Sequence, residues 1–387
     1  MKISIIGTAY PMRGGIAQYN SILFKYLSEK NDVKIFSFKR QYPEIFFPGK
    51  TQYEDGEPAY KIPEDKNIRL IDSVNPFNWL RAGFRLRREK PDMIVCKYWM
   101  PFFAPCYFTI FFIAKIFRNT KVLLICDNII PHEKMPFGKL LTKILFSTVN
   151  YFVVQSRSVE KDLKLFNKKN KPYVYSPHPV YNIFGEKTSR EEAISVLEKG
   201  FNLKIAGEKI LLFFGYIRKY KGLMVLIDAM PEVLKRFNVT LIVAGEFYDK
   251  PEPYLDRIKE LHLENNIKVV SDFIPDDKIR YFFSASDCVV LPYIDATQSG
   301  IAQIAYYYDK PAIASNVGGL SEVVLNDKTG IIIPPGNPSL LAQAIIRFYE
   351  DNLSEKFSDA VRQEKENYKW ENFVDKILNL YENKQAE

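Results

Sequence analysis

The sequence predicts an α/β protein made of two doubly wound parallel sheets. Three observations lead there. Short apolar runs alternate with longer amphipathic stretches along the chain, as strand–helix–strand units do when helices cover both faces of a parallel sheet. The alternation breaks at PHPVYNIFGEK, residues 177–187, and restarts at residue 209. A chain of 387 residues is also more than one hydrophobic core usually serves. The expected domains are therefore 1–180 and 181–367.

Each element follows from its local pattern. KISIIG at 2–7 is a short apolar run closed by a glycine, hence a buried strand. A glycine loop follows, then a helix from about Ile16 to Glu29 and a second strand at 33–38. Residues 40–67, rich in proline, glycine and charge, predict no regular element. A basic helix spans Pro76–Glu89, with Arg81, Arg85 and Arg88 along one face. Strands at 92–96 and 121–126 flank an apolar helix, and strands at 150–154 and 172–176 enclose the helix Val159–Phe166. Past the joint come a charged helix and strands at 209–214, 239–244, 267–270, 287–291, 311–314 and 330–333, with helices between them. Helices at 338–350 and 370–382 close the chain.

Composition removes several function classes. Apolar residues at 47% and charged residues at 26% exclude a mainly disordered chain and a multi-span membrane protein. Cys96, Cys106, Cys126 and Cys288 show no C-x-x-C spacing and read as buried thiols of a reducing compartment. Three histidines, scattered, predict no metal site. The apolar run at the amino terminus is too short for a secretion signal, so a cytoplasmic location is expected. Residues 98–117 contain a single charge, Lys115, and approach bilayer-spanning length. Pro101 and Pro105 and the flanking strands favour a buried crossover, with a surface-lying helix and a true span as the alternatives. The net charge of +8 is unevenly spread: residues 1–185 carry +14 and residues 186–387 carry −6. The basic half points to an anionic membrane surface or a phosphate-bearing acceptor as partner, and the stripe on 76–89 to the same chemistry or to a plain solvated face.

Four segments bear chemistry. Gly215-Tyr216-Ile217-Arg218-Lys219-Tyr220-Lys221-Gly222 follows a strand and opens a helix. Unpaired amides at a helix start favour an anion, and Arg218 and Lys221 add a bidentate donor and a point charge suited to a diphosphate. Gly14 and Gly15, after the first strand, allow close backbone approach to a phosphate or make a plain tight turn. In Leu291–Ile301 a polar loop containing Gln298 ends at Ser299, a helix cap that frees the amides of Gly300 and Ile301. Val317-Gly318-Gly319-Leu320-Ser321-Glu322 follows the strand at 311–314, and Glu322 suits a sugar hydroxyl or a helix cap. Neither G-x-G-x-x-G nor G-x-x-x-x-G-K-[ST] occurs, which removes the dinucleotide-binding and P-loop classes.

In this order, GGIAQYN, GYIRKYKG, LPYIDATQSG and KPAIASNVGGLSE resemble family 4 of the retaining nucleotide-sugar glycosyltransferases, whose fold is GT-B: two Rossmann-like domains facing across a cleft. The final KWENFVDKILNLYE resembles the family's closing helix, which implies that 368–387 joins the first domain. The resemblance implies a sugar transferred from a nucleotide-diphospho-sugar, without a metal or other cofactor, to a glycan or lipid-linked acceptor on the first domain. Arg218 and Lys221 would bind the donor diphosphate, with Gly14, Gly15, Gly215 and the Ser299, Gly300 and Ile301 turn around it. Ile274 would meet the base through its backbone, and Glu246 and Gln298 join the donor contacts. Two departures stand out. The family's Glu-x7-Glu maps by spacing to Asp295 and Gln303, or its second position to Ile304, so a carboxylate for the donor ribose is missing. The family's histidine before an Asp maps to Cys126-Asp127, leaving Asp127 and His132 as the catalytic candidates.

Rival classes are an inactive relative that only binds a sugar nucleotide, favoured by those departures, and a GT-B epimerase. Nucleic acid is not an expected partner, because the cations cluster at strand–helix loops and no recognition motif is present.

Overall fold

The computed structural model describes residues 1–43, 51–54, 56–130, 135–205 and 208–382. The chain divides into two units, Met1–Pro179 with Lys369–Glu387, and Val180–Tyr368.

The first unit holds seven parallel strands: β1 (Lys2–Gly7), β2 (Asp32–Arg40), β3 (Asn67–Asp72), β4 (Met93–Tyr98), β5 (Lys121–Cys126), β6 (Tyr151–Val154) and β7 (Tyr173–Tyr175). Their order is β3-β2-β1-β4-β5-β6-β7. The central strands are apolar throughout because helices cover both faces; every residue of β4 is buried, including Lys97. The edge strand β3 escaped the sequence reading. Its NIRLID alternates with charge because one edge lacks a neighbour, so it shows no apolar run.

Helices α1 (Gly15–Ser28), α2 (Pro76–Glu89), α3 (Ala104–Lys115), α4 (Gly138–Thr148) and α5 (Arg157–Phe166) make the crossovers. Helix α2 begins where expected because the Asn75 side chain accepts the Phe77 and Asn78 amides and Pro76 needs no partner. Helix α4 was not anticipated, since its start carries no capping side chain. The apolar stretch 98–117 resolves into a 3-10 turn, Pro101–Phe103, and the 12-residue α3. Cys106, Tyr107, Ile110 and Phe111 are buried in the core, so α3 is the crossover. Among the described residues no helix is long and apolar enough to cross a membrane.

The second unit holds six parallel strands: β8 (Lys209–Phe214), β9 (Val239–Ala244), β10 (Ile267–Val270), β11 (Cys288–Leu291), β12 (Ala312–Ser315) and β13 (Gly330–Ile333), in the order β10-β9-β8-β11-β12-β13. Its helices are α6 (Arg190–Phe201), α7 (Leu223–Leu234), α8 (Glu252–Glu260), α9 (Asp276–Ala285), α10 (Gly300–Tyr307), α11 (Leu320–Val323), α12 (Pro338–Glu350) and α13 (Leu353–Glu364). Helix α13 was also missed; it buries only Leu353, Phe357 and Val361 of a highly charged segment. The direction of strand succession reverses between β8 and β11, and ligands of such sheets bind beyond the carboxyl ends of the strands at that reversal.

The last helix, α14 (Trp370–Glu382), belongs to the first unit. Trp370 is buried against α1, its ring 4.9 Å from Tyr19 and stacked on Tyr26 at 6.0 Å.

Candidate functional site

The reversal point of the second unit gathers most of the predicted donor residues. Strand β8 runs into Gly215, at φ 97, a conformation that favours glycine. A side chain there would stand 3.1 Å from Lys221 Nζ and 3.1 Å from Ile301 Cδ1, so the loop after β8 and the start of α10 lie against one another. Gly222, at φ 72, lets the loop press on the one after β11: a Cβ there would meet the Pro292 carbonyl oxygen at 1.9 Å. The Ile294 amide donates to Tyr220 O at 2.7 Å, tying the two loops together.

The cations do not sit on the helix itself, as the sequence suggested. Residues Lys219–Lys221 form a separate 3-10 turn, and α7 starts only after Gly222. That turn folds Lys221 inward, where it is 8% exposed. Lys221 has no carboxylate partner among the described residues, and its ammonium lies 5.8 Å from the Tyr293 ring. Burial, aided by the neighbouring Arg218 charge, lowers its pKa to about 7. The Arg218 guanidinium lies 4.9 Å over the Tyr248 ring. A buried ammonium is costly unless an anion reaches it, so this corner is built to receive one.

Ser299 caps α10, its hydroxyl accepting the Ala302 amide at 3.4 Å and lying 3.3 Å from Tyr293 Oη. The amides of Gly300 and Ile301 begin the helix. Glu246, just past β9, is buried, and its carbonyl accepts the Ile217 amide at 2.8 Å. Ile274, also buried, follows β10. Gln298 is half-buried in the loop before Ser299. The Glu-x7-Glu positions diverge: Asp295 is exposed, whereas Gln303 is fully buried with neither amide atom hydrogen-bonded among the described residues. Ile304, the alternative alignment, is buried as well.

A different polar cluster, of which the sequence singled out only Asp127 as a candidate, occupies the first unit. Lys97 Nζ donates to Asp127 Oδ1 at 2.6 Å and to Gln155 Oε1 at 3.1 Å, and lies 3.5 Å from the Tyr19 ring centroid. Gln155 Nε2 donates to Tyr19 Oη at 3.1 Å. The His178 ring packs edge-on to Tyr19 at 4.9 Å; burial, reinforced by Lys97, pushes its pKa down to about 3 and keeps it neutral. The one available signal was Lys97 itself, a charge inside the apolar run MIVCKY. Asp127 thus stands at the end of β5 in a buried ion pair, while His132 lies outside the described residues. Gly14, at φ 105, caps α1 with Gly15 as its first residue.

Two Rossmann-like units, each with the strand succession reversing beside its first strand, define the GT-B class of folds. Residues 197–370 match the family model Glycosyl transferases group 1. An uncharacterized glycosyltransferase of Methanocaldococcus jannaschii is 30% identical over 176 residues, 45% of this chain and 45% of that protein, so the match spans less than half of that relative. Among solved structures, the sucrose-phosphate synthase of Thermosynechococcus elongatus superposes at TM-score 0.77 and 17% identity over 100% of both chains. The Anabaena HepE protein in complex with UDP-glucose does so at TM-score 0.70 and 18% identity, again over 100% of both. The fold is thus that of the GT-B glycosyltransferases, and residues 197–370 resemble the group 1 domain of that class.

The state of Lys221 gives the site a predicted pH dependence. A bound diphosphate favours the ammonium and raises its pKa above the value of about 7 in the free protein. Affinity is therefore greatest below that pH and falls as pH rises, by up to about tenfold per unit while one proton is taken up on binding. A nucleotide sugar is the suitable titrant, because its diphosphate diester does not itself titrate there. Calorimetric titration from pH 6 to 9 checks this, and Lys221→Met should flatten the profile.

Proposed function

We propose that this protein is a retaining glycosyltransferase that takes a sugar from a nucleotide-diphospho-sugar. The acceptor is a glycan or lipid-linked precursor handled by the Met1–Pro179 unit, at the cytoplasmic face of an anionic membrane. The observation that carries the donor half is Lys221: a buried ammonium without a carboxylate partner among the described residues, beside Gly215 and the start of α10. The complex of HepE with UDP-glucose, on the same fold, supports a nucleotide sugar as the anion.

In this reading the bond between the anomeric carbon and the donor phosphate oxygen breaks, and the leaving diphosphate gathers negative charge. Arg218, Lys221 and the amides of Gly300 and Ile301 stabilise that charge, so metal is not required for neutralisation. The acceptor hydroxyl forms its new bond on the face the phosphate leaves, and its proton passes to the departing phosphate oxygen. Retention follows because entry and departure share one face.

One observation favours a second reading, binding without turnover: Gln303 occupies a place where the family resemblance calls for a carboxylate. Incubation with a panel of nucleotide-diphospho-sugars and glycan or lipid-linked acceptors, with the anomeric configuration of the product read by NMR, decides between them. Transfer with retention is expected. Inversion would overturn the mechanism, and binding with no transfer to any acceptor would favour the second reading.

A further inference from the structure

Three neighbouring helices of the first unit share an unusual outer surface. Helix α3 packs against α2 on one side and α4 on the other, while Ala82, Leu86, Tyr107, Phe111 and Leu145 face the core. The outward positions should then be polar, as on most surface helices. Instead, most of the large apolar side chains exposed in the described chain belong to these helices and their ends: Phe77, Leu80 and Phe84 on α2, Phe112 and Phe117 at the end of α3, Phe137, Leu140 and Ile144 on and before α4. Phe117 is 94% exposed and Phe137 78% exposed. Both stand in left-handed backbone, φ 53 and φ 58, a region that disfavours bulky residues. The left-handed backbone ends α3 at Phe117 and starts α4 at Phe137, a task glycine or asparagine usually takes, so large exposed rings at these two turns are not demanded by the fold.

The charge around these rings has one sign. Residues 76–88, 104–118 and 135–148 contain eight Lys or Arg and no Asp or Glu. A groove of about 480 Å³ on the flank of α2 is lined by Arg69, Arg81, Arg85, Arg88 and Phe84, with Ile68 and Leu70, and by no carboxylate. Glu89 engages Arg85 and Lys34, and Arg69 lies near the Tyr53 ring; Arg81 and Arg88 are exposed.

We propose that the outer face of α2, α3 and α4 is a docking surface for the interface of an anionic phospholipid bilayer, with the phenylalanines entering the acyl boundary and the arginines and Lys139 and Lys143 holding headgroup phosphates. Apolar rings interleaved with cations are what such an interface selects. A second copy of the chain fits worse, because a two-fold contact through this face would set cations against cations. The surface lies within one unit and rests on the membrane part of the proposed function, but its test needs neither donor nor turnover, so its failure would leave the sugar-transfer reading standing.

The test is co-sedimentation of the full chain with vesicles of phosphatidylcholine alone and of phosphatidylcholine mixed with phosphatidylglycerol. The protein should pellet with the mixed vesicles and be released by salt. Phe77→Ser with Phe117→Ser and Phe137→Ser should weaken partitioning about tenfold or more. Because the four native thiols are buried, an environment-sensitive dye can be placed on Phe137→Cys alone, leaving the other rings intact. Its emission should shift to the blue on mixed vesicles, while the same dye on Leu255→Cys in the second unit should not respond. Indifference to phosphatidylglycerol would overturn the proposal, as would wild-type binding by the folded triple variant. Self-association without lipid that the triple variant abolishes would assign the face to a second copy instead.

Discussion

Replacing Arg218→Ala together with Lys221→Met should lower kcat/KM for sugar transfer by at least about a thousandfold while leaving the fold intact. In the proposed mechanism both cations face charge that grows as the donor phosphate departs, so the loss would fall on the reaction step as well as on binding. Stability should move little or rise. Lys221 is buried with a pKa lowered to about 7, so at neutral pH its ammonium is held against the cost of desolvation. An apolar side chain of similar length removes that cost without opening a cavity. Thermal melts and steady-state kinetics on the same preparation separate the two effects. An active double variant would remove the donor site from this corner of the second unit.

The second large effect is on stability, in the other unit. Asp127→Ala should cost about 3–5 kcal/mol, because it strands Lys97 as an unpaired charge inside the sheet. Lys97 is 3% exposed, and burial already pulls its pKa down despite the carboxylate 2.6 Å away. Removing both charges with Lys97→Met and Asp127→Leu should recover most of the loss, since a matched apolar pair has nothing left to neutralise. Urea denaturation of the two variants measures this difference. Equal destabilisation by the single and double changes would show that the pair does not act as a unit. Kinetics of the double variant then separate roles: a stable but inactive protein places Lys97 and Asp127 in the chemistry, and a stable, active one leaves them as supports.

Much of the fold was legible because parallel strands covered on both faces must be apolar in unbroken runs; β5, β8, β9, β10 and β13 begin and end where their runs do. The elements that escaped lack that signal. Strand β3 lies at an edge, α4 starts without a capping side chain, and α13 buries three residues in a charged segment. The corner of the second unit proposed for the donor stood out for a related reason. Glycines and cations after a strand are local features, and Gly215, Lys221 and Ile301 come together because β8 and β11 flank the reversal point. The cluster of Lys97, Gln155 and Tyr19 around Asp127 was not readable, although Asp127 itself was named. Its members come from β4, the end of β5, the end of β6 and α1, and only the sheet order brings them together. Three-dimensional packing likewise decides that Gln303 is buried while Asp295 is exposed, which spacing along the chain did not reveal.

The central claim is that the buried Lys221 ammonium and Arg218 together receive a donor diphosphate. Calorimetric titration of nucleotide-diphospho-sugars onto the wild type and onto Arg218→Ala with Lys221→Met, at pH 6.5 and 8.5, tests it most directly. The account predicts saturable binding of at least one nucleotide sugar to the wild type, tighter at pH 6.5, and binding to the variant that is weak and independent of pH. Equal affinity in the two proteins, or wild-type binding that tightens as Lys221 loses its proton, would contradict it.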